Sequence, residues 1–100
     1  MTPQIPAEMM KKIAELCRRH HIRELSIFGS RARGDNRPDS DFDFLVDFEP
    51  DARISLFGYG RAIVEFEELI GTKVDLIEKA GLKVLIRDSV LAEAKLIYAK

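Results

Sequence analysis

Apolar residues along this chain recur at two different spacings, one typical of helices and the other typical of strands. Between residues 7 and 20 they recur three or four positions apart, which predicts an amphipathic helix. The apolar face of this helix consists of Met9, Ile13, Leu16 and Cys17. Similar spacing predicts a second helix over residues 55–70, and a third helix is predicted over residues 82–92.

The second of these helices contains two glycines near its beginning. Its predicted core positions are Leu56, Ile63, Phe66 and Ile70. Because a glycine destabilises a helix interior by about 1 kcal/mol relative to alanine, Gly58 and Gly60 favour a start nearer Arg61. Gly71 follows the last apolar position and is predicted to end the helix.

The clearest two-residue alternation in the chain lies in residues 41–48 and predicts a strand. Its two faces carry different side chains: Phe42, Phe44, Val46 and Phe48 on one, and Asp41, Asp43, Leu45 and Asp47 on the other. The remaining predicted elements are strands over 23–28, 73–78 and 95–98, a brief helical turn over 30–34 and a loop over 34–40.

The order of these elements predicts an α/β (α+β) fold in which helices cover one face of a small mixed β-sheet. One hundred residues are enough for one modest hydrophobic core. Since the chain shows no internal repeat, linker or low-complexity segment, we expect a single domain over residues 1–100.

Composition narrows the class of protein. Hydrophobic residues make up 46% and charged residues 33%, which is typical of a folded soluble domain. A formal net charge of −1 argues against binding to long nucleic acid. The lone Cys17 excludes an internal disulfide and a cysteine-based zinc site, and we expect it in the core. We expect a cytoplasmic protein, because there is no signal-peptide stretch and no apolar run near the ~20 residues of a membrane span.

Three aspartates are predicted to point to the same side of the sheet. Asp41 and Asp43 share a strand face, with Cα atoms about 6.5–7 Å apart. Asp75 lies between Val74 and Leu76, which are predicted to face the core, so its side chain is predicted to point away from the core, as those of Asp41 and Asp43 do. Carboxylates together with substrate phosphates are typical ligands of Mg²⁺, and two such ions about 3.5–4 Å apart can assist phosphoryl transfer. The pattern therefore predicts a Mg²⁺ site, with two ions.

A glycine-serine turn precedes these acids and is suited to phosphate. Gly29 lets the backbone approach a ligand closely, and Ser30 offers a hydroxyl and neighbouring backbone N–H groups. Arg31 and Arg33 are near enough in sequence to neutralise phosphate charge. The turn is not a Walker-type phosphate loop, because the required spacing and the Gly-Lys-Ser/Thr ending are missing.

Each of these features also has an ordinary structural interpretation. An isolated Asp-x-Asp on a strand is usually a solvated face, and only its combination with the turn and Asp75 favours metal binding. Asp47 is predicted to be solvated. His20 and His21 lie at a helix end without an evident partner, so a capping or surface role is favoured over catalysis. Arginines such as Arg31 are more often surface charges than ligands.

In combination, these motifs resemble those of a known superfamily. Gly29-Ser30, ten intervening residues and then Asp41-x-Asp43 resemble the signature of the DNA-polymerase-beta-like nucleotidyltransferases. The fuller pattern adds Arg31-Ala32-Arg33-Gly34, Ser40 and the late Val74-Asp75-Leu76, and is similar to the minimal nucleotidyltransferase (MNT) branch. The resemblance runs from about residue 23 to residue 78.

The resemblance implies a nucleotidyltransferase core that transfers a nucleoside monophosphate from a nucleoside triphosphate, with Mg²⁺, to a hydroxyl. It assigns Gly29 and Ser30 to the triphosphate, and it favours Arg33 over Arg31 because the family pattern keeps arginine there. It assigns Asp41 and Asp43 to the metal ions. Asp75 then completes the catalytic metal site and helps to deprotonate the acceptor.

The acceptor is a separate question. Many MNT domains of this size resemble antitoxins that pair with a HEPN-type ribonuclease toxin and modify a toxin tyrosine with AMP from ATP. Larger members of the superfamily carry a further helical domain, so we expect another subunit or the partner to complete the pocket, in a homo- or hetero-oligomer. Two alternatives stay open: transfer to a small-molecule hydroxyl, and a non-catalytic antitoxin that neutralises its partner by binding.

Overall fold

The computed structural model describes residues 5–100, in which four helices and four strands follow one another. In chain order these are α1 (Ala7–Arg19), β1 (Ile22–Phe28), α2 (Ser30–Arg33), β2 (Phe42–Phe48), α3 (Leu56–Ile70), β3 (Val74–Glu78), α4 (Val84–Glu93) and β4 (Lys95–Ala99), with a 3-10 turn at Lys79–Gly81 before α4. All of the predicted elements are present, and apart from the beginning of α3 their bounds differ from the prediction by one or two residues.

The strands form one mixed sheet in the order β3-β2-β1-β4, which confirms the predicted fold class. Strand β1 is antiparallel to both β2 and β4, whereas β2 and β3 are parallel. Parallel neighbours need a crossover connection, and α3 supplies it here. The starts of β2 and β3 therefore lie at the same edge of the sheet.

Helices α1 and α3 contact each other and cover one face of the sheet. The core between them contains Ile13, Leu16, Cys17, Ile22, Leu25, Ile27, Ala32, Phe44, Val46, Ala62, Phe66, Val74 and Leu76. Phe44 of β2 packs on Phe66 of α3, with ring centroids 5.6 Å apart. The predicted core position of Cys17 is confirmed, since its side chain is fully buried.

The prediction was wrong about the beginning of α3. The helix starts at Leu56 instead of near Arg61, because the hydroxyl of Ser55 accepts a hydrogen bond from the Gly58 N–H at 3.0 Å and caps the first turn. Leu56 was also predicted to be a core residue, yet it is 90% exposed. Helical spacing identifies a face, but this first turn lies beyond the part of the face that reaches the core.

The opposite face of the sheet carries the aspartates and is only partly covered. Leu45, which alternates with Asp43 and Asp47, is buried, and so is Leu82; neither belongs to the main core. Helix α4 contributes no buried residue. No helix within residues 5–100 is long and apolar enough to cross a membrane.

Candidate active site

The predicted acidic residues meet where β2 and β3 begin. In the parallel register of these strands, Asp43 lies directly opposite Asp75. The N–H of Phe42 donates to the carbonyl of Lys73 at 3.0 Å and fixes the strands at this level. Asp41 immediately precedes β2, so it lies just before the strand instead of inside it as predicted.

The electrostatics of Asp43 show that the acids interact. Burial raises the pKa of Asp43, and the charge of Asp75, a hydrogen bond with Asp75 and the charge of Asp41 raise it further. The positive charge of Arg33 acts in the opposite direction and lowers the pKa. A carboxylate that is destabilised by its neighbours is one that a bound cation would stabilise.

The donor set fits Mg²⁺ better than a metal bound entirely by protein side chains. Among residues 5–100, no three His, Cys, Asp or Glu side chains are gathered into a single metal-binding cluster. Mg²⁺ is typically held by one or two carboxylates, with water and substrate phosphates as the other ligands. Asp43 and the exposed Asp75 provide such a pair, and Asp41 lies near enough to affect Asp43.

Gly29 brings the glycine-serine turn against this acidic pair. Its φ is 73° and its ψ is −155°, a conformation that only glycine adopts readily. A Cβ atom built on Gly29 would overlap Oδ2 of Asp43 and lie 3.3 Å from Cγ of Asp43. Glycine is therefore required here both by backbone conformation and by lack of space, and the predicted turn and acids belong to one site.

The turn itself is a short helix, α2, that begins at Ser30. The N–H groups of Ala32 and Arg33 donate to the carbonyl of Gly29 at 3.0 and 3.1 Å, and that of Gly34 donates to the carbonyl of Ser30 at 2.9 Å. Ala32 is 2% exposed and anchors the turn in the core. Ser30 thus lies at the start of a firmly held turn, next to Gly29.

Arg31 holds the loop that leads into β2. Its guanidinium donates to the carbonyls of Ser40 at 2.7 Å and Pro38 at 3.2 Å, and it stacks over the ring of Phe42 at 4.3 Å. Its Nε is buried and has no hydrogen-bond partner within residues 5–100. Arg31 is therefore not a simple surface charge but a residue that positions the segment containing Asp41.

Arg33 is bound by a residue that the sequence analysis missed. One terminal nitrogen of Arg33, Nη1, donates to the two carboxylate oxygens of Glu93 at 3.1 and 3.0 Å, and Nε donates to Asp35 at 3.1 Å. Glu93 also accepts a hydrogen bond from the Gly29 N–H at 2.8 Å. Because sixty residues separate Glu93 from Arg33, no local spacing could reveal this contact.

The other polar residues considered in the sequence have structural partners. His20 is the C-cap residue of α1, in line with the predicted capping role, and it also contacts Glu65 at 2.9 Å; this partner, not evident from the sequence, lies on α3, 45 positions further along the chain. His21 lies 3.6 Å from Glu49. Asp47 was predicted to be solvated but forms an ion pair with Arg23. None of these residues contributes to the raised pKa of Asp43.

Solved toxin–antitoxin complexes share this fold at low sequence identity. A toxin–antitoxin structure with AMP-PNP superposes with a TM-score of 0.75 at 18% identity, over 91% of this chain and 73% of that one. A complex of a tri-AMPylated HEPN toxin from Shewanella oneidensis with an MNT antitoxin gives a TM-score of 0.68 at 16% identity, over 93% and 71% of the two chains. These similarities concern the fold alone.

Sequence comparisons are more specific. The model of the family described as nucleotidyltransferase domain matches residues 9–97. The protein adenylyltransferase MntA of Thermococcus cleftensis is 42% identical over 83 residues, which cover 79% of this chain and 78% of that protein. A solved minimal nucleotidyltransferase is 36% identical, with a TM-score of 0.71 over 94% of this chain and 98% of that one. The chain therefore belongs to the nucleotidyltransferase family, and the predicted minimal nucleotidyltransferase is confirmed.

Proposed function

We propose that this protein, with Mg²⁺, transfers AMP from ATP to a tyrosine hydroxyl of a HEPN-type ribonuclease toxin in the cytoplasm, and thereby acts as the antitoxin. The observation that carries the proposal is the pairing of Asp43 with Asp75 directly beside Gly29. It brings an acidic pair together with the glycine-serine turn in a chain that belongs to the nucleotidyltransferase family.

The acceptor is supported by proteins similar to this chain. The relative from Thermococcus cleftensis is named as a protein adenylyltransferase, so its acceptor is a protein. The complex with the same fold from Shewanella oneidensis contains a HEPN toxin that carries AMP. AMP-PNP, an ATP analogue, is present in another such toxin–antitoxin structure. These observations favour a toxin over the alternative of a small-molecule hydroxyl.

The proposed reaction is an in-line displacement at the α-phosphorus of ATP. The tyrosine oxygen forms a bond to this phosphorus, the bond to the bridging oxygen of the β-phosphate breaks, and pyrophosphate leaves. The proton of the hydroxyl passes to Asp75, whose side chain is exposed on the face where an acceptor can approach. When bound, Mg²⁺ would supply charge stabilisation to the attacking and leaving oxygens.

The remaining residues bind and orient the nucleotide. Asp41, Asp43 and Asp75 would hold the metal ions, and a bound cation would offset the burial and the neighbouring negative charges that raise the pKa of Asp43. Gly29 and Ser30 hold the triphosphate at the start of α2: Gly29 lets the backbone approach the phosphates closely, and Ser30 offers its hydroxyl. Arg33 lies at the end of the same turn, where its guanidinium, bound to Glu93 and Asp35, contributes positive charge toward the phosphates.

The proposal is tested by following the label of ATP in a mixture of this protein, Mg²⁺ and its partner toxin. The toxin should acquire label from α-³²P-ATP but not from γ-³²P-ATP, since AMP and not phosphate is transferred. Replacing the accepting tyrosine by phenylalanine should abolish the labelling. We also expect a small helical protein with an Arg-x₄-His motif to be encoded beside this gene.

Two variants separate catalysis from binding. Asp43→Asn should abolish labelling, whereas Asp39→Asn in the exposed loop before β2 should leave it unchanged. Unchanged labelling by Asp43→Asn would contradict the metal assignment. Full toxin neutralisation by an Asp43→Asn protein that transfers no AMP would instead establish the alternative, an antitoxin that acts by binding.

A further inference from the structure

Glu93, the last residue of α4, contacts the glycine-serine turn at two points. Its Oε1 accepts a hydrogen bond from the Gly29 N–H at 2.8 Å. Its two oxygens lie 3.1 and 3.0 Å from Nη1 of Arg33, so a single carboxylate bridges the first residue of the turn and an arginine at its end. The side chain of Glu93 is 31% exposed, and the bridge is therefore partly shielded from solvent.

The same junction between α4 and β4 holds the turn at a third point. The ammonium group of Lys95 donates to the carbonyl of Ala32 at 2.7 Å. Ala32 is buried in the core, so the turn is held by core packing at Ala32 and by the hydrogen bonds of Glu93 and Lys95. An isolated four-residue helix is too short to be stable by itself, because its first turn is the costly step of helix formation. These tertiary contacts therefore define its geometry.

The geometry of the turn matters because Asp43 lies against it. Gly29 is packed so closely on Asp43 that a Cβ would overlap the carboxylate. Glu93 holds the amide of Gly29 and the guanidinium of Arg33, so it fixes both ends of the turn that packs on this acid.

We propose that Glu93 is a positioning residue for nucleotide binding: it fixes the Gly29 peptide beside Asp43 and the Arg33 guanidinium at the other end of the same turn, in the arrangement that receives the triphosphate. This inference rests on the proposed function. Glu93 acts through these two groups and does not itself contact the nucleotide. A carboxylate that occupied the place of a phosphate would instead inhibit ATP binding, and its removal would then lower KM for ATP.

Two substitutions of Glu93 separate its two contacts. Glu93→Gln keeps the shape and an oxygen that can accept from Gly29, but it removes the charge that holds Arg33. Glu93→Ala removes both contacts. Asp88→Asn removes a charge from an exposed position of the same helix and serves as the matched control. Thermal unfolding of each variant checks that the fold is retained, which we expect for the isosteric glutamine.

The measurements are the affinity for Mg²⁺-ATP, by calorimetry, and the KM values for ATP and for the toxin. For Glu93→Gln we expect KM for ATP to rise about tenfold, the effect of one charge-assisted contact, with KM for the toxin unchanged. Glu93→Ala should raise KM for ATP further, and Asp88→Asn should behave as the wild type. A purely structural role would change both KM values, or neither, and would overturn the inference.

A double-mutant cycle with Arg33→Gln tests whether Glu93 acts through Arg33. Once Arg33 is absent, Glu93→Gln should have little further effect on KM for ATP. Additive effects, or a KM for ATP that falls when Glu93 is replaced, would overturn the positioning role, and a fall would establish the inhibitory one.

Failure of the inference can be distinguished from failure of the proposed function. A wild-type protein that binds Mg²⁺-ATP but labels no toxin would refute the proposed acceptor, while calorimetry on the variants would still test Glu93. Wild-type labelling together with unchanged ATP binding and kinetics in both Glu93 variants would refute the role of Glu93 alone.

Discussion

Replacing Gly29 with alanine should both destabilise the protein and abolish AMP transfer. The new methyl group would be forced into a backbone conformation with φ of 73° and ψ of −155°. It would also overlap the carboxylate of Asp43, so that either the turn or Asp43 must move. One added carbon atom thus tests the backbone conformation and the close approach of the turn to the acidic pair.

The magnitude follows from these two effects. A residue other than glycine in this region of backbone conformation is strained by about 1–3 kcal/mol. Displacing the Asp43 side chain from its rotamer adds about 0.5–1.5 kcal/mol. We therefore expect a loss of roughly 2–4 kcal/mol in the free energy of unfolding. For a domain of this size, such a loss lowers the unfolding midpoint by at least about 8 °C.

Gly71→Ala is the matched control. Gly71 also has a positive φ, of 84°, but a Cβ built there has no atom within 4 Å. The backbone strain alone should cost about 1–2 kcal/mol and leave the acids in place. The assays are urea unfolding for stability and α-³²P-ATP labelling of the toxin for activity. Equal stability losses in the two variants, or wild-type labelling by Gly29→Ala, would refute the close approach of the turn to Asp43.

Three further predictions concern titratable side chains. Asp43→Asn should stabilise the metal-free protein at neutral pH, because the raised pKa of Asp43 means that its ionised carboxylate disfavours folding. The gain in the free energy of unfolding should vanish as the pH falls through the folded-state pKa and Asp43 of the wild type becomes protonated. Cys17 should react with thiol reagents only after unfolding, because burial raises its pKa to about 12. Glu65→Gln should lower stability at neutral pH, since the hydrogen bond with His20 and further contacts lower the pKa of Glu65 from 4.5 to about 2. The stability that the ionised Glu65 contributes should be lost in the wild type as the pH falls from 4.5 to about 2.

Each of these has a control and an outcome that contradicts it. Urea unfolding of Asp39→Asn controls for removal of a negative charge, and a pH-independent effect of Asp43→Asn would show that the acids do not interact. Labelling of Cys17 in urea gives the rate for the exposed thiol, and an equal rate in the native protein would exclude burial. Glu68→Gln, at an exposed position of α3, controls for Glu65→Gln; an equal loss at about pH 6 and about pH 3 would exclude an ionic contribution.

Long-range contacts account for what the sequence analysis missed. Arg31 is bound to the loop before β2, and Glu93 is bound to Gly29 and Arg33. Both contacts depend on where separate segments come to lie, which a local pattern does not contain. The exposure of Leu56 has the same origin, since helical spacing indicates which side a residue is on but not whether a partner covers it.

The sequence by itself determined the elements, their order, and the side of the sheet to which Asp43 and Asp75 point. These features depend on spacing, because side chains alternate along a strand and recur every three or four residues along a helix. Only the tertiary structure decided that Asp43 lies opposite Asp75, that Gly29 packs against Asp43, and that Glu93 holds the turn. Strand register and side-chain contacts arise when the core packs, so they are set by residues that lie far apart in the chain.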